Sequence, residues 1–93
     1  MPQGMKVQVR QVCVTHPYGI HARVAARIVL LASRFKCRVQ LAVKGRTADA
    51  RNIIAVLLLA AAVGSEIRIE TSGVDESEAL DALSALIGSK HEL

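Results

Sequence analysis

Lys6-Val7-Gln8-Val9-Arg10 alternates polar with apolar residues, and Val12 and Val14 then continue the alternation in the opposite phase. This pattern predicts a strand over about 7–14 with a bulge near Arg10-Gln11. His16-Pro17-Tyr18-Gly19 reads as a turn, with Pro17 fixing φ and Gly19 free to take a positive φ. From Ala22 to about Ser33, the residues Val24, Ala25, Ile28, Val29, Leu31 and Ala32 form a broad apolar face opposite Arg23, Arg27 and Arg34, which is the signature of an amphipathic helix. Cys37, Val39, Leu41 and Val43 alternate with Arg38, Gln40 and Lys44 in a second strand, and Lys44-Gly45 turns the chain into a short third strand over 47–50.

Asn52 stands where its side-chain oxygen can cap a helix over 53–62 that Gly64 ends. Ile67 and Ile69 alternate with Glu66, Arg68 and Glu70 in a fourth strand, followed by a turn at Gly73. Asp75 with Glu78 predicts an aspartate version of the capping box, opening a last helix that buries Ala79, Leu80, Leu83, Leu86 and Ile87 and stops at Gly88. The order is βαββαβα. Because every strand alternates, one sheet face is wet and the other is covered by helices, so the predicted fold is α/β (α+β). It is an open-faced two-layer sandwich with a four-stranded antiparallel sheet covered on one face by three helices. A single domain over residues 1–93, with its core at about 8–88, is expected.

Composition narrows the partners. Apolar residues make up 52% of the 93 positions, enough for a core without disulfides or a structural metal. Tyr18 and Phe35 are the only aromatics, so stacking platforms for bases are missing. The net charge is +4, and no acidic residue precedes Asp49. That asymmetry points to an acidic partner, and scattered rather than clustered Lys and Arg favour a protein surface over nucleic acid. Residues 1–5 lack the features of a signal peptide and the apolar run 53–63 is too short to span a bilayer, so a soluble cytoplasmic protein without membrane insertion is expected; a monomer is the expected state, although nothing in the chain fixes it. Lys90-His91-Glu92-Leu93 resembles a retention tetrapeptide, which has no meaning without a signal peptide. Cys13 and Cys37 have no metal-type spacing and read as reduced thiols. No metal site, cofactor, Ser/His/Asp arrangement, nucleotide-binding glycine loop or paired catalytic carboxylates can be defended.

The candidate chemistry lies in Gly19-Ile20-His21-Ala22-Arg23-Val24-Ala25-Ala26, where an imidazole sits between a turn and an apolar helix. The first helical turn leaves backbone N–H groups without intrahelical partners, so an anion on His21 would meet Ala22 and Arg23 donors and the positive end of the helix dipole. Arg23 adds a side-chain charge. Histidine can accept a phosphoryl group as a nucleophile and lose it again, which makes His21 a candidate carrier of transferable phosphate. On this local chemistry alone, a solvated surface histidine or a simple cap remains open.

The element order, Gly-Ile-His-Ala-Arg, the segment Asp-Ala-Arg-Asn-Ile-Ile-Ala-Val-Leu-Leu-Leu and the final helix together resemble HPr, the histidine-containing phosphocarrier family of the bacterial phosphotransferase system, over residues 8–88. The resemblance implies that His21 accepts phosphate on Nδ1 from enzyme I, itself charged by phosphoenolpyruvate, and passes it to an enzyme IIA-type acceptor domain of a sugar-transport enzyme II. It also implies a carrier rather than an enzyme with its own turnover. Arg23 and the backbone of Ala22 and Arg23 would steady the phosphate. Ile20, Arg27, Ile53, Ile54 and Leu57 would contact partners, while Val56 and Leu59 enter the core.

Three positions depart from the family pattern. Val24 replaces the usual proline, restoring a backbone N–H in the first turn. Asn52 stands where many members carry a regulatory serine, so the cap is kept and the phosphorylatable hydroxyl is lost. His16 stands where asparagine is common and is expected to be a solvated turn residue. Two other functions compete with the sugar-transport carrier: a nitrogen-type regulatory phosphocarrier, and a module that binds anions at His21 and Arg23 without reacting.

Overall fold

The computed structural model describes residues 7–88, in the order β1 (Gln8–Cys13), α1 (Ala22–Ala32), β2 (Arg38–Val43), β3 (Arg46–Asp49), α2 (Ile53–Leu58), β4 (Glu66–Ser72) and α3 (Glu76–Gly88). The strands form one antiparallel sheet in the order β1-β4-β2-β3. Alternation sorts each strand as its sequence demands: Val39, Leu41 and Val43 of β2 and Ile67, Ile69 and Thr71 of β4 are buried, while Arg38 and Arg68 face water. Leu41 pairs with Ile69 at the centre, both fully buried. Val24, Ala25, Ile28 and Ala32 of α1, Val56 of α2 and Ala79, Leu80, Leu83 and Ile87 of α3 close over this face. Each large side chain withdrawn from water there contributes about 1.5–3 kcal/mol. Leu86 is only half-buried, packed at the margin of the core, and Ser84 takes a buried place on α3.

The expected bulge in β1 is absent. Register runs unbroken from Gln8 opposite Thr71 to Cys13 opposite Glu66. The apparent change of phase arises because Gln8 and Arg10 occupy covered-face positions at the sheet edge, where α3 supplies polar partners. Gln8 Nε2 donates to Ser77 Oγ at 3.0 Å, and Arg10 pairs with Asp81 at 3.0 Å. Val9 is thereby left on the wet face, 44% exposed.

Helix α2 is shorter than the apolar run predicts, ending at Leu58 rather than near residue 62. Ala60 adopts φ +54°, and Ala61 then turns its carbonyl to the backbone N–H of Ile20 at 2.9 Å. Three consecutive alanines favour helix locally, but a tertiary hydrogen bond and the burial of Ala61 override that propensity. Gly64, at φ +87°, instead closes the turn into β4, where its N–H donates to the Val14 carbonyl at 2.9 Å.

The expected capping box at Asp75 is also redistributed. The Asp75 carboxylate accepts from the backbone N–H groups of Lys36 and Cys37 across the fold, while Glu76 Oε1 accepts from Gly73 N–H at 2.9 Å. The amide of Lys36, followed by the thiol and amide of Cys37, holds the Asp75 carboxyl below the usual aspartate range. Burial and the adjacent carboxylate push the Cys37 thiol up to about 11, so it stays a neutral core residue. The Arg51 guanidinium donates to the carbonyls of Phe35 and Cys37, fastening the same α1–β2 connection.

Candidate phosphoryl-accepting site

The turn before α1 is fixed on two sides. Gly19 takes φ +70° and donates its N–H to the His16 carbonyl at 2.9 Å; a Cβ at this position would collide with the Ala61 carbonyl. Ile20 donates its N–H to the same Ala61 carbonyl, and its side chain is only 6% exposed. The expectation that Ile20 contacts partners is therefore corrected: it anchors the turn in the core and offers almost no surface.

His21 follows in extended backbone (φ −94°, ψ −173°) and is the N-cap of α1. Its carbonyl accepts from Ala25 N–H at 2.8 Å, starting the helix, and its Nδ1 accepts from Arg23 N–H at 3.3 Å. A backbone amide can only donate, so Nδ1 presents its lone pair toward the helix end and the neutral ring carries its proton on Nε2. The imidazole is half-exposed. No acidic residue occupies the first turn of α1, so nothing there repels an approaching phosphoryl group, and the 11-residue helix directs its positive end at the same place. A phosphoryl oxygen on Nδ1 can take over the Arg23 N–H that Nδ1 now holds.

Arg23 and Arg27 are exposed on α1, leaving both guanidinium groups accessible to an anion or an acidic partner. Val24 is 4% exposed, so the side chain that replaces proline packs into the core while its backbone stays helical. Tyr18, unassigned from sequence, is 85% exposed and sets its ring at 68° to the His21 imidazole with centroids 6.4 Å apart. Its position three residues before the histidine was the only available signal.

His16 contradicts the expectation of a solvated residue. It is 7% exposed, with Nε2 3.0 Å from the Leu86 carbonyl in the last turn of α3. The backbone path of the turn points this side chain inward, toward the Leu86 carbonyl near the end of α3.

Across from α1, Asn52 Oδ1 accepts from Ala55 N–H at 3.1 Å and caps α2 as expected. Ile53 and Ile54 are 38% and 61% exposed, whereas Val56 and Leu59 are core residues. Leu57 is half-buried against the core, and Leu58, which the sequence left unassigned, is 68% exposed. The surplus apolar surface of α2 thus runs through Ile54 and Leu58, with Leu57 at its inner margin.

A family model described as "PTS HPr component phosphorylation site" matches residues 8–89. The chain belongs to the HPr family. It is 42% identical over 81 residues to the phosphocarrier protein HPr of Cupriavidus necator, covering 87% of this chain and 91% of that one. The fold is that of solved HPr structures: the Bacillus anthracis HPr superposes with a TM-score of 0.84 at 37% identity, covering 87% of this chain and 96% of that one. HPr-C-His from Thermoanaerobacter tengcongensis gives a TM-score of 0.86 at 31% identity, covering 92% and 99%. As a member of the HPr family, the protein is a phosphocarrier of the phosphotransferase system.

Proposed function

We propose that His21 is the phosphoryl acceptor, receiving the group from enzyme I and passing it to an enzyme IIA-type domain of a sugar transporter. The observation that carries this reading is the Nδ1 lone pair of a half-exposed imidazole lying against the amino end of α1. In the forward step Nδ1 attacks phosphorus, the bond from phosphorus to the donor breaks, and its electron pair leaves with the donor. In this reading the Ala22 and Arg23 N–H groups and the Arg23 guanidinium stabilise the charge that arrives. In the second step an acceptor nucleophile attacks phosphorus and the N–P electron pair returns to Nδ1. The protein ends unchanged, as a carrier without turnover of its own.

Arg27, Ile53 and Ile54, joined by Leu58, form the docking surface in this reading, and the basic first half of the chain favours acidic partners. The protein acts as a cytoplasmic monomer. Relatives that are mostly named HPr, with a few named NPr, support the sugar-transport branch over the regulatory one. Incubation with enzyme I and phosphoenolpyruvate should add the mass of one phosphoryl group, carried on nitrogen by phosphorus NMR. No gain in mass would defeat the reading and leave His21 an anion-binding residue.

A further inference from the structure

We propose that His16 is a positioning residue for phosphoryl transfer, tying the turn that presents His21 to the carboxyl-terminal turn of α3. The inference rests on His21 being the acceptor. A string of hydrogen bonds connects the two ends. His16 Nε2 lies 3.0 Å from the Leu86 carbonyl, which can only accept, so Nε2 carries the proton. The His16 carbonyl accepts from Gly19 N–H at 2.9 Å, the Gly19 carbonyl accepts from His21 N–H at 3.1 Å, and His21 Nδ1 accepts from Arg23 N–H.

Leu86 and Ile87 lie in the last described turn of α3, and the final carbonyls of a helix look beyond it for donors. His16 serves one of them. Thr15 serves the next, with its Oγ1 3.4 Å from the Ile87 carbonyl. The turn is therefore docked on α3 by residue contacts some 70 positions apart in sequence, while Ile20 fastens its other end to Ala61. A solvated side chain at position 16 would leave the first of these anchors unmade and the Leu86 carbonyl without this donor. Fixing the backbone on both sides of Gly19 restricts the His21 ring to the orientation in which Nδ1 meets the helix end, where an in-line attack on phosphorus is prepared.

The test compares His16→Gln with His16→Met, which are of similar length and differ in the amide donor. His16→Met should lower the rate of transfer from enzyme I at saturating donor by roughly ten- to a hundred-fold. The apparent KM should change little, because the docking side chains lie elsewhere, and His16→Gln should restore most of the rate. Imidazole nitrogen NMR should show His21 with its neutral proton on Nε2 in the wild type and in His16→Gln, and a mixture of tautomers in His16→Met. If His16→Met only lowers the melting temperature, with His21 tautomer and rate per folded molecule unchanged, the proposal is overturned. A neutral Nδ1–H tautomer at His16 in the unmutated protein overturns it even if neither variant folds. Wild-type protein that accepts no phosphate would instead defeat the assignment of His21, and the tautomer comparison would still report on His16.

Discussion

The backbone N–H of Arg23 donates to Nδ1 of His21 at 3.3 Å, so the atom proposed to accept the phosphoryl group rests at the amino end of α1. The bond is long for an N–H to nitrogen contact, and giving it up costs little when a charged phosphoryl oxygen takes its place. His21→Ala should abolish phosphoryl acceptance in a mass assay while circular dichroism and melting remain near those of the wild type. Arg23→Ala keeps the backbone donor and removes only the guanidinium. Losing one charge-assisted contact is worth about 1.5–3 kcal/mol, so transfer should slow by roughly ten- to a hundred-fold if the contact acts fully in the transition state. An unchanged rate in stopped-flow transfer would place the Arg23 charge away from the phosphate.

Asn52 and Ala55 make the second testable pair. The side chain of Asn52 caps α2 through Ala55 N–H, so Asn52→Ala should destabilise by about 0.5–2 kcal/mol in urea unfolding. Asn52→Ser should stay close to wild type, since serine caps comparably. An ATP-dependent HPr kinase should modify only the serine variant. Phosphate on residue 47, 65 or 72 of the wild type would show that another hydroxyl takes over this control.

Docking should be sensitive at Ile54 and Leu58, whose side chains are mostly exposed, and less cleanly at Leu57, which packs against the core. Ile54→Glu and Leu58→Glu should melt within a few degrees of wild type while affinity for enzyme I drops at least tenfold, because a charge is tolerated in water and costly in a desolvated interface. Leu57→Glu should lose stability and affinity together. Equal loss of melting temperature in all three variants would return this face to the core. Association should also slow as salt rises, through screening of Arg23 and Arg27.

Asp75 supplies a pH dependence with a definite sign. Its carboxyl is held below the ordinary aspartate range by the Lys36 amide and then by Cys37, so the folded state favours the ionised form. The stabilisation is complete above the unfolded pKa of about 3.9 and drains away as pH falls through the lower folded value. Asp75→Ala should therefore lower the melting temperature at pH 7, with the gap to wild type closing in acid. A gap that persists at pH 2 would mean that Asp75 acts through something other than its charge.

Much of this protein is legible in the chain itself. Period-two alternation around Leu41 and Ile69 and a one-sided apolar stripe in 22–32 depend only on local geometry, and they specify strands, helices and covered faces without knowledge of contacts. The same holds for Asn52, whose capping bond spans three residues, and for His21, whose partner Arg23 lies in the first turn of the helix it caps.

What the chain could not reveal are the bonds between distant segments, because sequence pattern records whether a position suits water or core and not which group it meets. His16 looked like turn polarity until α3 brought the Leu86 carbonyl to it. Ile20 looked like surface beside the site until the Ala61 carbonyl fixed its backbone and drew its side chain inward, and the same bond halted α2 early despite three alanines that favour helix. Local periodicity and helix-end chemistry were enough to set the order of elements and to single out His21 as the candidate acceptor. How that imidazole is held depends on packing, because the carbonyls of Leu86, Ile87 and Ala61 meet donors from the turn before His21 only once the layers come together.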